Sequence, residues 1–291
     1  MEKLSIERLA ADDFISKQDL KYKDVFKLHP LFDKFNLNAN LILVGPKGIA
    51  KTLSIASWVN KNGYPLVTVD CSEDIRRVHL MGMFTLRGDY SPFVLGPIPT
   101  AIQIANEVGH CVLCFEEINA LTHAAQKMLN SIADHRRRID LPECQRVFRL
   151  DSKAKLWLCG TMNENVYGGV YSLNEDLKSR FRMLPLTYPS VAEEKVILKV
   201  VLGISEKTRK KGQAPSPKDA VINKIITLAH ETRQKNLAYS LSPRDVIQIV
   251  HDSDSCGLEA ALRLSSGKFE GQDRDYYKTR VTSIFGIGLD K

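Results

Sequence analysis

The residues most capable of chemistry open with GPKGIAKT, positions 45–52, which joins the apolar run LILV (41–44) to the helical pattern KTLSIASWVN (51–60). A strand, a glycine-rich turn and a helix in that order suit a phosphate, because the unpaired N–H groups of the first helical turn point at an anion. In that setting Lys51 would reach the outer phosphates and the Thr52 hydroxyl would bind Mg2+. Gly45, Pro46, Lys47, Gly48, Ile49 and Ala50 complete the loop. Ala50 stands where such loops ask for glycine. The expectation is that Gly45 and Gly48 supply the unusual backbone angles and that Ala50, which favours helix, opens the helix.

Phosphoryl chemistry also needs an acid on the metal side and a group that activates water. About sixty residues on, CVLCFEEINA places Glu116 and Glu117 at the end of an apolar strand, the edge where ligands sit in α/β sheets. Glu117 is placed to orient or deprotonate the attacking water, and Glu116 to hold Mg2+ through its water shell. Aspartate is usual at the first of these positions; the extra methylene of Glu116 could weaken or shift the metal, and a lone pair of acids can simply mark a strand end. Asn163, in LWLCGTMNEN, follows another buried strand and could hold the water or the γ-phosphate from the side. In LNEDLKSRFRM, Arg180 is the first choice and Arg182 the alternative for an arginine supplied to a neighbour's γ-phosphate, either being equally suited to a helix C-terminus. Arg244, in LSPRDVIQ, falls in the first turn of a later helix and could read the phosphate state.

The elements that must position these residues are legible in outline. LILV (41–44), PLVTVD (65–70), CVLCF (111–115), KLWLCGT (155–161) and MLPL (183–186) are continuous apolar runs, which predict parallel strands covered on both faces. Leu121, Ala124, Ala125, Met128, Leu129 and Ile132 share one face of a helix over 119–134. After residue 190 the strand signal stops. Ser190 with Glu193 makes a capping box for a helix that Gly203 closes, and Ser242 caps another with Pro243 at its first position. The expected domains are therefore an α/β domain over 1–190 and a helical domain with its tail over 191–291.

Of 291 residues, 44% are hydrophobic and 26% charged, the balance of a globular chain. No apolar run approaches the roughly 18 residues of a membrane span, and MEKLSIERLA does not read as a signal peptide, so no membrane association and a cytoplasmic location are expected. Six cysteines fall largely in apolar runs and suggest buried thiols. Cys111 and Cys114, three apart on a strand, point to opposite faces and make a poor metal site. The net charge of +7 favours polyanions, but its clearest cluster, SEKTRKKGQAPSPK (205–218), has the composition of a loop.

Phosphate loop, FEEINA, GTMNEN, LKSRF and SPR, in this order and over about residues 35–255, resemble an AAA+ ATPase of the MoxR group, with its RavA, CbbQ and NorQ branches. FVLGPIPTAIQIANEVG is similar to the group's GP segment, and AKT at 50–52 is common in the MoxR and RavA branch. The resemblance implies a P-loop core whose five-stranded parallel sheet has the order 5-1-4-3-2, a C-terminal α-helical lid, and a ring, typically a hexamer, binding ATP and Mg2+ at subunit interfaces. It makes Lys51 and Thr52 Walker A residues, Glu116 and Glu117 Walker B, Asn163 sensor 1, Arg180 the finger in trans and Arg244 sensor 2. Members remodel proteins, often with a partner carrying a von Willebrand factor A domain, which here would be a separate polypeptide. A nucleic-acid-associated motor and a slow nucleotide-gated scaffold are the alternatives. Two stretches stay open at this level: DHRRRIDLPE, with Arg136, Arg137 and Arg138, faces a neighbour or pore or is a solvated turn; in FTLRGDYSPF, Phe84 and Tyr90 touch substrate or are core aromatics.

Overall fold

The computed structural model describes residues 21–35, 37–86, 91–163, 171–203, 217–235 and 237–289. Contacts divide the chain into two units: Lys27–Gly45 with Ala50–Leu186, and Lys21–Phe26 with Pro46–Ile49 and Thr187–Lys291. Tyr90 and most of the basic 205–218 stretch lie outside the described residues.

In chain order the first unit contains α1 (Leu28–Phe35), β1 (Leu41–Val44), α2 (Lys51–Asn62), β2 (Leu66–Asp70), α3 (Arg77–Met81), β3 (Gly82–Phe84), β4 (Phe93–Leu95) and α4 (Pro97–Val108). It continues through β5 (His110–Glu116), α5 (His123–Ala133), β6 (Arg138–Leu141), β7 (Arg146–Arg149), β8 (Lys155–Met162), α6 (Glu175–Lys178) and β9 (Arg182–Pro185). Five strands form one sheet in the order β2-β5-β8-β1-β9, every pair parallel. In β1, β5 and β8 side chains alternate and both sets are buried, which is why those runs read as continuously apolar; β9, at the edge of the sheet, is largely exposed, against the expectation of burial on both faces for MLPL. Cys111, Leu113, Phe115, Leu156 and Leu158 face a core shared with Ile98, Ile102 and Ala105 of α4 and Leu129 and Ile132 of α5. Trp157, between Leu156 and Leu158, points the other way, where its ring centroid lies 5.2 Å from both Phe32 and Trp58. Both indoles find acceptors as they are buried: Trp58 Nε1 donates to Asp33 Oδ1 and Trp157 Nε1 to the Ala39 carbonyl.

The helix expected over 119–134 is shorter. Thr122 caps α5 by accepting the Ala125 N–H, so Ile118–Ala120 form a separate short turn ahead of it. Two antiparallel hairpins, β3–β4 and β6–β7, have no counterpart in the sequence reading. Phe84 on the first is 54% exposed and packs edge-on against Phe93, so it is not a core aromatic. The basic stretch before the second hairpin divides by residue. Arg136 and Arg138 make exposed ion pairs with Asp134 and Asp140, whereas Arg137 is half-buried and donates to the Ile132 carbonyl and to Asn40 Oδ1.

The second unit holds α7 (Val191–Val201), α8 (Pro217–Gln234), α9 (Pro243–Cys256), α10 (Leu258–Ser266) and α11 (Gly271–Phe285) around Leu198, Ile225, Ile226, Leu228, Val246, Ile249, Leu262 and Tyr277. The capping boxes of Ser190 with Glu193 and of Ser242 with Asp245 both form. Glu194 is fully buried, paired with both terminal nitrogens of Arg233 and with His230. Arg233 Nε also donates to the Leu241 carbonyl while Thr232 Oγ1 accepts the Leu241 N–H, so this ion pair fixes the backbone that leads into α9. Burial makes the Asp245 carboxyl harder to ionise, but Lys268, the Ser242 hydroxyl and N–H, and Tyr239 outweigh that and hold it below the usual carboxylate range.

Candidate active site

The loop leaves β1 with its ladder still running: the Gly45 N–H donates to the Met162 carbonyl of β8 at 3.1 Å. Gly48 takes a φ of 76°, as expected, but Gly45 does not take a left-handed angle. Ala50 does so instead, with φ 65° and ψ 33°, and α2 begins only at Lys51. The reading of Ala50 as the first helical residue is therefore corrected. The loop enters α2 through a left-handed residue, unlike the helices capped by Thr122, Ser190 and Ser242, so the backbone demand falls on this position rather than on Gly45. For alanine that conformation costs about 1–2 kcal/mol, against about 0.4–1 kcal/mol of extra unfolded-state entropy when glycine replaces it. Ala50→Gly is accordingly expected to raise stability by about 0–1.6 kcal/mol in urea unfolding; a lowered midpoint would contradict the strain. At Gly48 a side chain is doubly unwelcome, since a β-carbon there would come within 2.4 Å of Ser242 Oγ, both residues belonging to the second unit. In the same loop Lys47 is exposed and Pro46 and Ile49 are buried.

Lys51 is only 8% exposed, and its ammonium donates to the Gly45 carbonyl at 2.8 Å and to Asn163 Oδ1 at 2.9 Å. Asn163, at the end of β8 and equally buried, turns its Nδ2 to Glu117 Oε1 at 2.9 Å. The orientation of this amide is determined by chemistry, because only its oxygen can accept from an ammonium and only its nitrogen can donate to a carboxylate. Asn163 thus joins the cation of the loop to the second acid of the strand. Beside this bridge, Thr52 Oγ1 donates to Glu116 Oε2 at 3.2 Å. Burial raises the pKa of the Glu116 carboxyl; the Thr52 hydrogen bond acts in the opposite sense, and the nearby Asp70 and Glu117 charges raise it further. A hydroxyl beside a partly desolvated carboxylate is an oxygen donor set that suits a hard divalent cation such as Mg2+.

Lys51, Thr52, Glu116, Glu117 and Asn163 are therefore brought together at the C-terminal edge of the sheet. Arg180 and Arg182 are not. Arg182 opens β9 opposite Leu41, the first residue of β1, while the loop begins after Val44, the last. The length of β1 separates them, about 13 Å at the rise of a strand. Arg182 lies over the Phe35 ring at 5.1 Å, and Arg180 donates to the Asp176 carbonyl. Asn40 clamps this corner, its Nδ2 donating to the Arg180 carbonyl and its own carbonyl accepting the Arg182 N–H, both at 2.9 Å. Arg244 is exposed in the first turn of α9, in the second unit.

Sequence reasoning missed three residues of this site. Asp70 stands in register with Glu116 on the neighbouring strand. Asn119 is fully buried and donates to the Asn163 carbonyl at 3.1 Å, and Thr161 accepts the Glu117 N–H at 3.1 Å. A readable signal was present for two of them: Asn119 and Thr161 are polar residues in runs otherwise apolar enough to be buried, and such groups need partners. Among the described residues no cluster of His, Cys, Asp and Glu could hold a metal ion by itself, all six cysteines are free, and no helix is long and apolar enough to cross a membrane.

Residues 40–181, which carry the loop, both acids, Asn163 and Arg180, match the family model of the AAA domain (dynein-related subfamily). That match supports an AAA+ ATPase domain over this α/β unit. Among individual proteins, the chain is 29% identical over 204 residues to an uncharacterized protein of Staphylococcus haemolyticus, covering 68% of this chain and 70% of that protein. It is 27% identical over 261 residues to the uncharacterized protein YojN of Bacillus subtilis, covering 85% of this chain and 77% of that one. Shorter matches to Staphylococcus epidermidis proteins span 57% of their length. A crystal structure from Cytophaga hutchinsonii aligns over 86% of this chain and 78% of its own, at 16% identity and a TM-score of 0.47.

Proposed function

We propose that this chain hydrolyses ATP with Mg2+ as a ring-forming AAA+ motor of the MoxR type that remodels a protein partner. The observation that carries the reading is the bridge from buried Lys51 through buried Asn163 to Glu117, beside the Thr52–Glu116 contact. Lys51 would exchange the Gly45 carbonyl and Asn163 for phosphate oxygens, leaving Asn163 to hold Glu117 and the attacking water. Glu117 would take the proton of that water, with one carboxylate oxygen held by Asn163 Nδ2. Thr52 and Glu116 would hold Mg2+, which supplies charge neutralisation on the phosphates when bound. Arg244, on the helix whose start is set by Ser242 and Arg233, would report the phosphate state to a helical lid formed by the second unit.

Ring formation rests on the place of the arginines. Arg180 and Arg182 sit about 13 Å of strand away from their own loop, so an arginine acting on the γ-phosphate would serve a neighbouring subunit. Arg180 remains the first choice, since Arg182 is engaged on Phe35. The MoxR assignment rests on the five ordered motifs, and with it come a hexamer and a partner bearing a von Willebrand factor A domain. Mixing Arg180→Ala subunits with Lys51→Ala subunits, each inactive alone, is expected to recover ATP turnover above the sum of the two. Recovery requires one subunit's intact loop to meet another's intact arginine; no recovery would contradict a shared site.

A further inference from the structure

β5 and β8 pair in register as far as Phe115 with Gly160, and there the chain of β5 turns away. Gly160 permits this turn: a β-carbon on it would approach the Phe115 carbonyl to 3.1 Å and Ile118 to 3.8 Å. Beyond that point the Glu117 N–H is matched not by a ladder carbonyl but by Thr161 Oγ1, at 3.1 Å, on a residue only 2% exposed. Glu117 has φ 52° and ψ 48°, a left-handed conformation that a β-carbon disfavours and that must be held by its surroundings. The same turn is closed by the Ala120 N–H donating to the Glu117 carbonyl at 2.7 Å, and is tied to β8 a second time by Asn119 Nδ2 on the Asn163 carbonyl. Thr161 is two residues before Asn163, so one strand carries both the acceptor for the Glu117 backbone and the donor for its carboxylate.

We propose that Thr161 is a positioning residue for the hydrolysis: through its hydroxyl it holds the Glu117 backbone in the left-handed turn that aims the carboxylate at Asn163. This rests on the reading of Glu117 as the group that accepts the proton of water. Thr161 touches neither nucleotide nor water in this scheme and acts only through Glu117.

Thr161→Val keeps the shape and removes the acceptor, Thr161→Ala removes both, and Thr161→Ser keeps the acceptor. Losing one buried hydrogen bond that orders a catalytic group is expected to lower turnover about tenfold in the Val and Ala variants, with nucleotide affinity within about twofold of wild type. Thr161→Ser is expected to stay within about threefold of wild type. In a Glu117→Gln background, Thr161→Val should change the residual turnover no further, because the group it positions is already disabled. A readout independent of activity is hydrogen exchange in nucleotide-free protein, where the Glu117 amide should exchange faster in the Val and Ala variants than in wild type or Thr161→Ser. Wild-type turnover in Thr161→Val, a Ser variant as slow as the Val variant, an additive loss in the Glu117→Gln background, or failure of both Val and Ala variants to fold would each overturn the proposal. If Glu117→Gln itself turned over like wild type, the reading of Glu117 would fall instead, and the two failures are thereby distinguished.

Discussion

Lys51→Ala is expected to abolish measurable binding of Mg-ATP, with a loss of at least about tenfold to hundredfold if any affinity remains. The ammonium is buried beside the loop and would make charge-assisted bonds to phosphate oxygens, each contributing about 1.5–3 kcal/mol. The substitution also strips the Gly45 carbonyl and Asn163 Oδ1 of their donor, so the loop would lose part of its preset shape before any ligand arrives. Calorimetric titration checks this, and a Lys51→Ala variant with wild-type affinity would remove the loop from the account.

Glu117→Gln is expected to separate binding from turnover. The amide oxygen of glutamine can still accept from Asn163 Nδ2, the backbone keeps its bond to Thr161, and Thr52 and Glu116 are untouched. What is lost is the capacity to take a proton, which for a positioned general base is a factor of about 10²–10⁴ in turnover. The variant should therefore hold ATP with near wild-type affinity and retain it unhydrolysed. A partner that dissociates on hydrolysis should then remain bound, which makes this variant the bait of choice for capturing a client protein. Loss of affinity in step with turnover would show that the substitution had disturbed the site rather than its proton chemistry.

The strands and the site were legible to different depths, for physical reasons. β1, β5 and β8 announced themselves because burial on both faces leaves the run almost wholly apolar, with Thr161 the exception within β8. The capping box at Ser190 and the Ser242 cap with Pro243 behind it were equally plain, since each is a purely local pattern. The hairpins β3–β4 and β6–β7 were not: their strands are three and four residues long, too short for the alternation that β6 does show to stand out, and β3, β4 and β7 are largely in water. Within the site, spacing picked out Lys51, Thr52, Glu116, Glu117 and Asn163, but not the bonds among them. The Lys51–Asn163 pair spans 112 positions and the Glu117–Asn163 pair 46, and such contacts exist only once strand order is set. Ala50 shows the reverse limit: helix propensity predicted its conformation wrongly because the geometry of the junction overrode it.

In the proposed function, Glu116 is the residue on which metal affinity would turn. Its longer side chain reaches Thr52, and burial with the Asp70 and Glu117 charges makes it reluctant to ionise in the absence of a cation. Binding Mg2+ would supply the positive charge that this carboxylate lacks, in keeping with a site assembled for metal and nucleotide together.

The most direct test is steady-state release of inorganic phosphate from ATP in the presence of Mg2+, measured for wild-type protein and Glu117→Gln prepared side by side. The account predicts continuous release by wild type and a loss of about 10²-fold or more in the variant. Release that is absent from wild type, or equal in the two proteins, would contradict the claim that this chain hydrolyses ATP through Glu117.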